Sequence, residues 1–251
     1  MNELALFAGA GGGLLGGKLL GWRSICAVEQ DPYAISVLLS RQNDRTFKPF
    51  PIWDDVKTFD GSVWKGRVDL VSGGFPCQDI SSAGRGEGLD GERSGLWREM
   101  LRIVREVEPA YVFIENSPLL RTRGLQTVLE DLTTSGYICA WGCFSAKEEG
   151  AHHKRNRMWI LAYSTSIGQQ RQGQLVNTCD SSSDSKRKAS NAVNVCESRE
   201  WPLEPAVGRV VDGMAHRSHR LKAIGNGQVP RVAARAFIEL KKVIDQIINK
   251  A

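Results

Sequence analysis

No apolar run in these 251 residues is long enough to cross a bilayer. The most apolar stretch, Leu4 to Leu20, is interrupted again and again by glycine and is too short and flexible to span one. Nothing at the N-terminus reads as a basic region followed by a signal-peptide core, and the six cysteines include no CxxC pair. A reduced, cytoplasmic protein without a membrane segment is therefore expected. Cys179 and Cys196, even with His152 or His153, are too sparse for a metal-ligand set, so no metal is expected. Acid is scarce in the second part of the chain: residues 151–251 hold 17 Lys/Arg against 8 Asp/Glu, whereas residues 1–150 hold 16 against 20. All four histidines fall in the basic part. Such an imbalance fits a polyanion-binding surface, and equally a solvated basic face.

The length suits one domain with a smaller appendage. Its first element is the buried-strand pattern Leu4-Ala5-Leu6-Phe7, which runs through Ala8-Gly9-Ala10-Gly11-Gly12-Gly13 into a helix from Leu14 to Leu20. Glycines let a backbone approach a ligand and aim its N–H groups, and the helix N-terminus favours electronegative atoms. A second strand, Ser24 to Val28, ends at Glu29, where a carboxylate can accept from the ribose hydroxyls of an adenosine-bearing cofactor. Gly11, Gly13 and Gly16 also satisfy GxGxxG, so the loop alone leaves a nicotinamide dehydrogenase open. After a helix over Pro32 to Gln42, the pair Asp54-Asp55 before Val56 can reach an adenine amino group or form a surface turn.

The run Val68 to Ser72 empties into Gly73-Gly74-Phe75-Pro76-Cys77-Gln78. Carboxyl ends of strands are where doubly wound sheets bind ligands, so Cys77 stands at a nucleophile's address; a small buried thiol is the alternative. Asp79 to Gly95 carries five glycines with Arg85 and Arg93, the composition of a loop that closes over a bound ligand. A helix follows, with Leu96, Met100, Ile103, Val104 and Val107 on one face, and then the strand Ala110 to Ile114 ends in Glu115-Asn116. If these strands are parallel neighbours, Glu115 and Cys77 share one cleft, an acid for a ring nitrogen beside a thiol for a ring carbon. From Ser164 to Glu204 periodicity stops in a polar, Ser/Asn-rich background, and Val232 to Ile248 is a final helix.

These motifs together resemble, in order, those of the DNA cytosine-5 methyltransferases, in a compact, phage-like form. Phe7, Gly9, Ala10, Gly11 and Gly12 match the family's S-adenosylmethionine loop, Glu29 and Gln30 its ribose and adenine wall, and Asp55-Val56 its adenine-contacting pair. Pro76-Cys77-Gln78 and Glu115-Asn116 resemble the catalytic motifs, and Arg155 and Arg157 the basic pair. Gly225-Asn226-Gly227-Gln228-Val229-Pro230 resembles the last conserved loop, whose asparagine helps to enclose the cofactor. Pro76 and Leu96 join the cofactor residues on the same ground.

The resemblance implies a Rossmann-like methyltransferase sheet over residues 1–163 and 221–251, with a short, largely irregular target recognition region at 164–220. It implies methyl transfer to C5 of a flipped cytosine in double-stranded DNA, with Gln78, Ser81, Arg85, Lys186, Arg187 and Lys188 as DNA contacts. A monomer is expected, with a restriction endonuclease as candidate partner. By the same resemblance the final helix packs on the glycine loop. Gln30, Ser117 and His153 depart from the family pattern, and Arg209 is the best remnant of its ninth motif. The dehydrogenase reading gives no role to Cys77, Glu115 and the arginine pair. The branch acting on transfer RNA carries a Cys-Phe-Thr tripeptide that this sequence does not contain, and a catalytically dead relative would not keep both Cys77 and Glu115.

Overall fold

The computed structural model describes residues 1–76, 95–165, 175–177 and 217–250. Among the described residues, eight strands form one sheet in the order β3-β2-β1-β4-β5-β7-β6-β8. These are β1 (Asn2–Leu6), β2 (Arg23–Val28), β3 (Ile52–Trp53), β4 (Leu70–Gly73), β5 (Tyr111–Asn116), β6 (Tyr137–Ser145), β7 (Asn156–Ser164) and β8 (Leu175–Asn177). The first five are parallel, and β7 is inserted antiparallel between β5 and β6. The helices are α1 (Gly12–Leu19), α2 (Pro32–Asn43), α3 (Gly95–Val107), α4 (Leu120–Arg123), α5 (Leu125–Thr134), α6 (Arg217–Asn226) and α7 (Pro230–Lys250). Among the described residues, no helix is long and apolar enough to cross a membrane.

The alternation of side chains along a strand sends residues to two layers. On β1, Leu4 and Leu6 join the core beneath α3 and α5, where Trp97, Met100, Ile103, Val128 and Leu132 are buried. Ala5 points the other way, into a cluster with Leu14 and Leu38. On β5, Val112 and Ile114 belong to the α3/α5 layer and Phe113 to the opposite one, with Val232, Ala236, Phe237 and Leu240 of α7. The final helix starts two residues before the expected span, with Pro230 in its first turn, where a missing N–H costs nothing. It lies on α1, as the resemblance implied: a methyl group added at Gly16 would come within 2.8 Å of Ala233 Cβ.

Within the segment from 164 to 220, expected to be largely irregular, β8 pairs in parallel with β6 at the sheet edge and the described residues from Arg217 belong to α6. Helix α5 and strands β6 and β7 complete the side of the sheet that sequence reasoning left unassigned.

Candidate active site

The chain leaves β1 to build strands on one side and returns through β4 on the other, so the sheet switches direction between them. Crevices form at the carboxyl ends of strands at such a point. Phe7, Ala8 and Gly9 after β1, Gly73 and Gly74 at the end of β4, Glu115 from β5, and Asn226, Gly227 and Gln228 from the end of α6 onward line one cavity there. Because β7 runs antiparallel, its N-terminal end brings Arg155 and Arg157 to the same edge.

The glycine loop turns at Phe7 and Gly9, both with positive φ (53° and 54°). Gly9 has open space where a side chain would project, and its N–H donates to Glu29 Oε2 at 2.6 Å. Glu29 Oε1 accepts from the Asp31 N–H at 2.8 Å, so this one carboxylate fixes both the loop and the start of α2. Asp31 caps α2 through the Tyr33 and Ala34 N–H groups and takes Lys222 of α6 at 2.6 Å. The ion pair and these N–H donors hold its carboxyl below the usual range, with the Lys222 hydrogen bond the largest influence.

Other glycines of the motif face protein. Gly11 packs against Leu38 and Phe47, and a side chain on Gly12 would overlap the Gln228 carbonyl oxygen. Ala10, Gly11 and Gly12 do not line the cavity, whereas Gly13 of the same run does. Gln30 is exposed, and Leu96 is half-buried against the α3 core. Asp55 accepts from the Lys57 N–H, while Val56 is buried and its carbonyl accepts from Arg102, so Val56 serves the core.

Glu115 is 8% exposed, with Arg157 Nε 2.9 Å from Oε1. Burial pushes its carboxyl up to about 7, while Arg157, Arg155 and a hydrogen bond from Gln228 pull the other way. Asn116 is buried beside it and donates through Nδ2 to the Phe75 carbonyl at 3.2 Å, one peptide ahead of Pro76. β4 and β5 are parallel neighbours with Gly73 opposite Ile114, which is the condition set for Glu115 and the chain beyond Gly73 to share a cleft. Cys77, Gln78, Ser81, Arg85, Lys186, Arg187 and Lys188 lie outside the described residues.

Arg155 does not join Arg157 on the carboxylate. Its Nη2 donates to the Gly225 carbonyl at 2.8 Å and to that of Gly227, pinning the loop that carries Asn226. The side chains of the arginine pair are thus divided between Glu115 and the Asn226 loop. Gln228 and Gly74 were missed as site residues. The signal for both was present, since each sits inside a motif that was quoted.

Residues 1–236 match the model of the C-5 cytosine-specific DNA methylases. The type II methyltransferase M.CviJI of Paramecium bursaria Chlorella virus IL3A is 37% identical over 117 residues, 46% of this chain and 32% of that protein. Methyltransferase M2.BsuMI of Bacillus subtilis (strain 168) is 33% identical over 170 residues, 64% of this chain and 42% of that protein. A prophage-encoded DNA modification methyltransferase structure (E. coli) superposes with a TM-score of 0.54 at 25% identity, over 66% of this chain and 47% of that one. S. pombe Dnmt2 has the same fold, with a TM-score of 0.54 at 19% identity over 68% and 51% of the two chains. The chain spans a third to a half of the length of these curated relatives. With the sheet order, the cavity at its switch point and the match over residues 1–236 in agreement, the chain belongs to the C-5 cytosine-specific DNA methylase family.

Proposed function

We infer that the protein transfers a methyl group from S-adenosylmethionine to C5 of a cytosine in double-stranded DNA, with Cys77 as nucleophile and Glu115 as the acid that binds the base. The observation that carries this reading is Glu115: a buried carboxylate, tied to Arg157, at the end of the strand next to the one leading into Pro76-Cys77.

The cavity suits an adenosine-bearing cofactor. Gly9 leaves room on its surface, Phe7 offers an aromatic edge, and Glu29 stands at the end of the neighbouring strand with acceptor capacity beyond its two N–H donors. When bound, S-adenosylmethionine supplies the electrophilic methyl group that the activated C5 takes up. The cytosine must first leave the stacked duplex, because neither face of its ring is open to a thiolate there. The Cys77 thiolate then adds to C6, forming a carbon–sulfur bond. Glu115 binds N3 and the exocyclic amine and neutralises the charge pushed onto the ring, a task suited to a carboxyl that titrates near 7. Asn116 fixes the carbonyl of Phe75 and so the departure of the chain toward Cys77. Transfer of the C5 proton to a water molecule, with the carbon–sulfur bond breaking to return Cys77 as thiolate, restores the aromatic ring. The segment from 164 to 220 chooses the target, and Lys186, Arg187 and Lys188 bind phosphate there.

Purified protein, labelled S-adenosylmethionine and two acceptors, unmethylated plasmid DNA and bulk transfer RNA, test the reading. Label entering DNA as 5-methylcytosine at one recurrent sequence is expected. Label entering only RNA would transfer the reading to the RNA-directed branch, and label in neither would overturn it.

A further inference from the structure

The last conserved loop brings a side chain that the mechanism above leaves unused. Gln228 follows Asn226 and Gly227, and its main chain lies directly over Gly12. Its side chain continues over Gly13 and reaches Gly74, where an added methyl group would stand 3.3 Å from Gln228 Nε2 and 2.8 Å from Glu115 Oε2. Three glycines, two at the start of α1 and one after β4, are therefore the floor on which one glutamine crosses the site. Its amide donates to the Glu115 carboxylate. Arg157 occupies Oε1 from the other side.

We propose that Gln228 is a positioning residue for Glu115, which clamps the carboxylate opposite Arg157 and ties its orientation to the glycine loop of the cofactor cavity. Gln228 lines that cavity and also a second one, lined by Glu3 and Trp159. The clamp matters chemically because two donors, a guanidinium and an amide, hold the carboxylate plane still, so that its proton meets the ring nitrogen and a remaining lone pair meets the amine. A glutamine does this without adding charge. The charged groups acting on Glu115 among the described residues are Arg157 and Arg155, both near the start of β7, and Gln228 is the neutral donor that acts in the same direction from the α6–α7 connection.

The proposal rests on Glu115 as the base-binding group, but its test needs neither DNA nor turnover. Full-length protein carrying ¹³C at the glutamate carboxyls is titrated by NMR, with the Glu115 signal identified by its loss in Glu115→Gln. In the wild type the midpoint is expected near 7. Gln228→Leu removes a donor to the ionised form, so protonation is favoured and the midpoint moves up by about one pH unit. Gln228→Asn, which keeps the amide but withdraws it, moves it the same way and decides the matter should the leucine variant not fold. Wild-type midpoints in the folded variants would overturn the proposal, since a merely structural glutamine would lower the melting temperature without touching the titration. Failure of methyl transfer by the wild type would instead overturn the functional reading and leave this result intact.

Discussion

Glu3 and Glu115 are both buried carboxylates on this sheet, 1% and 8% exposed, and burial pushes each up to about 7. They lie at opposite ends of it. Glu3, near the start of β1, is held by hydroxyl donors, Ser72 Oγ at 2.7 Å and Ser24 Oγ at 3.1 Å. Glu115, near the end of β5, is held by a guanidinium and an amide and borders the cavity at the switch point. A perturbed carboxyl is therefore no signature of catalysis by itself. What separates the two is their partners and their end of the sheet: Glu3 is held by hydroxyls under α1, whereas Glu115 is tied to Arg157 and borders the crevice where the proposed function places the base.

The contrast breaks most sharply in rate. Glu115→Gln keeps the shape but not the acid and is expected to slow single-turnover methyl transfer by about 10² or more, while Glu3→Gln leaves it at the wild-type level. Equal losses in the two variants would erase the distinction. In stability the two should behave alike. Each carboxyl titrates at about 7 in the folded chain against an ordinary 4.5, so between those values the folded state binds more protons and stability falls as pH rises. The contribution of Glu3 is complete below pH 4.5 and lost through 7, about 3 kcal/mol in all. Urea unfolding at pH 5 and pH 8 should show this loss reduced in Glu3→Gln, and an unreduced loss would show that Glu3 is not the titrating group. A smaller effect is expected at the cofactor wall. Glu29→Ala removes the anchor of Gly9, which lines the cavity, together with the carboxylate proposed to bind the ribose, and calorimetry should find S-adenosylmethionine bound about 10-fold more weakly or worse. Unchanged affinity would remove Glu29 from that site.

Much of this arrangement is legible in the sequence where the cause is local. The run Leu4 to Phe7 before glycines marks a strand entering a loop, and the spacing of Met100, Ile103, Val104 and Val107 marks a helix face buried as read. Leu125, Val128, Leu129 and Leu132 have the same spacing and bury the same way, so α5 could have been read too. The reversal of β7 between β5 and β6 has no local mark, because strand order is set by packing across the sheet. Nor do the glycines declare their partners. Gly12 and Gly13 read as a ligand-binding run, yet the atoms that require them small belong to Gln228, more than 200 residues on. The division of Arg155 and Arg157 is hidden in the same way, since it depends on where the Asn226 loop returns.

The central claim is that this chain attacks cytosine through Cys77, and duplex DNA carrying 5-fluorocytosine at the methylated position tests it most directly. Fluorine on C5 cannot leave as the proton does, so the carbon–sulfur bond formed at C6 should persist after methyl transfer. With S-adenosylmethionine present, the wild-type protein is expected to give a protein–DNA complex stable to denaturant, with the label mapping to the peptide containing Cys77, and Cys77→Ser should give none. A wild-type enzyme that methylates ordinary DNA yet forms no such complex, or a complex that survives in Cys77→Ser, would contradict the account.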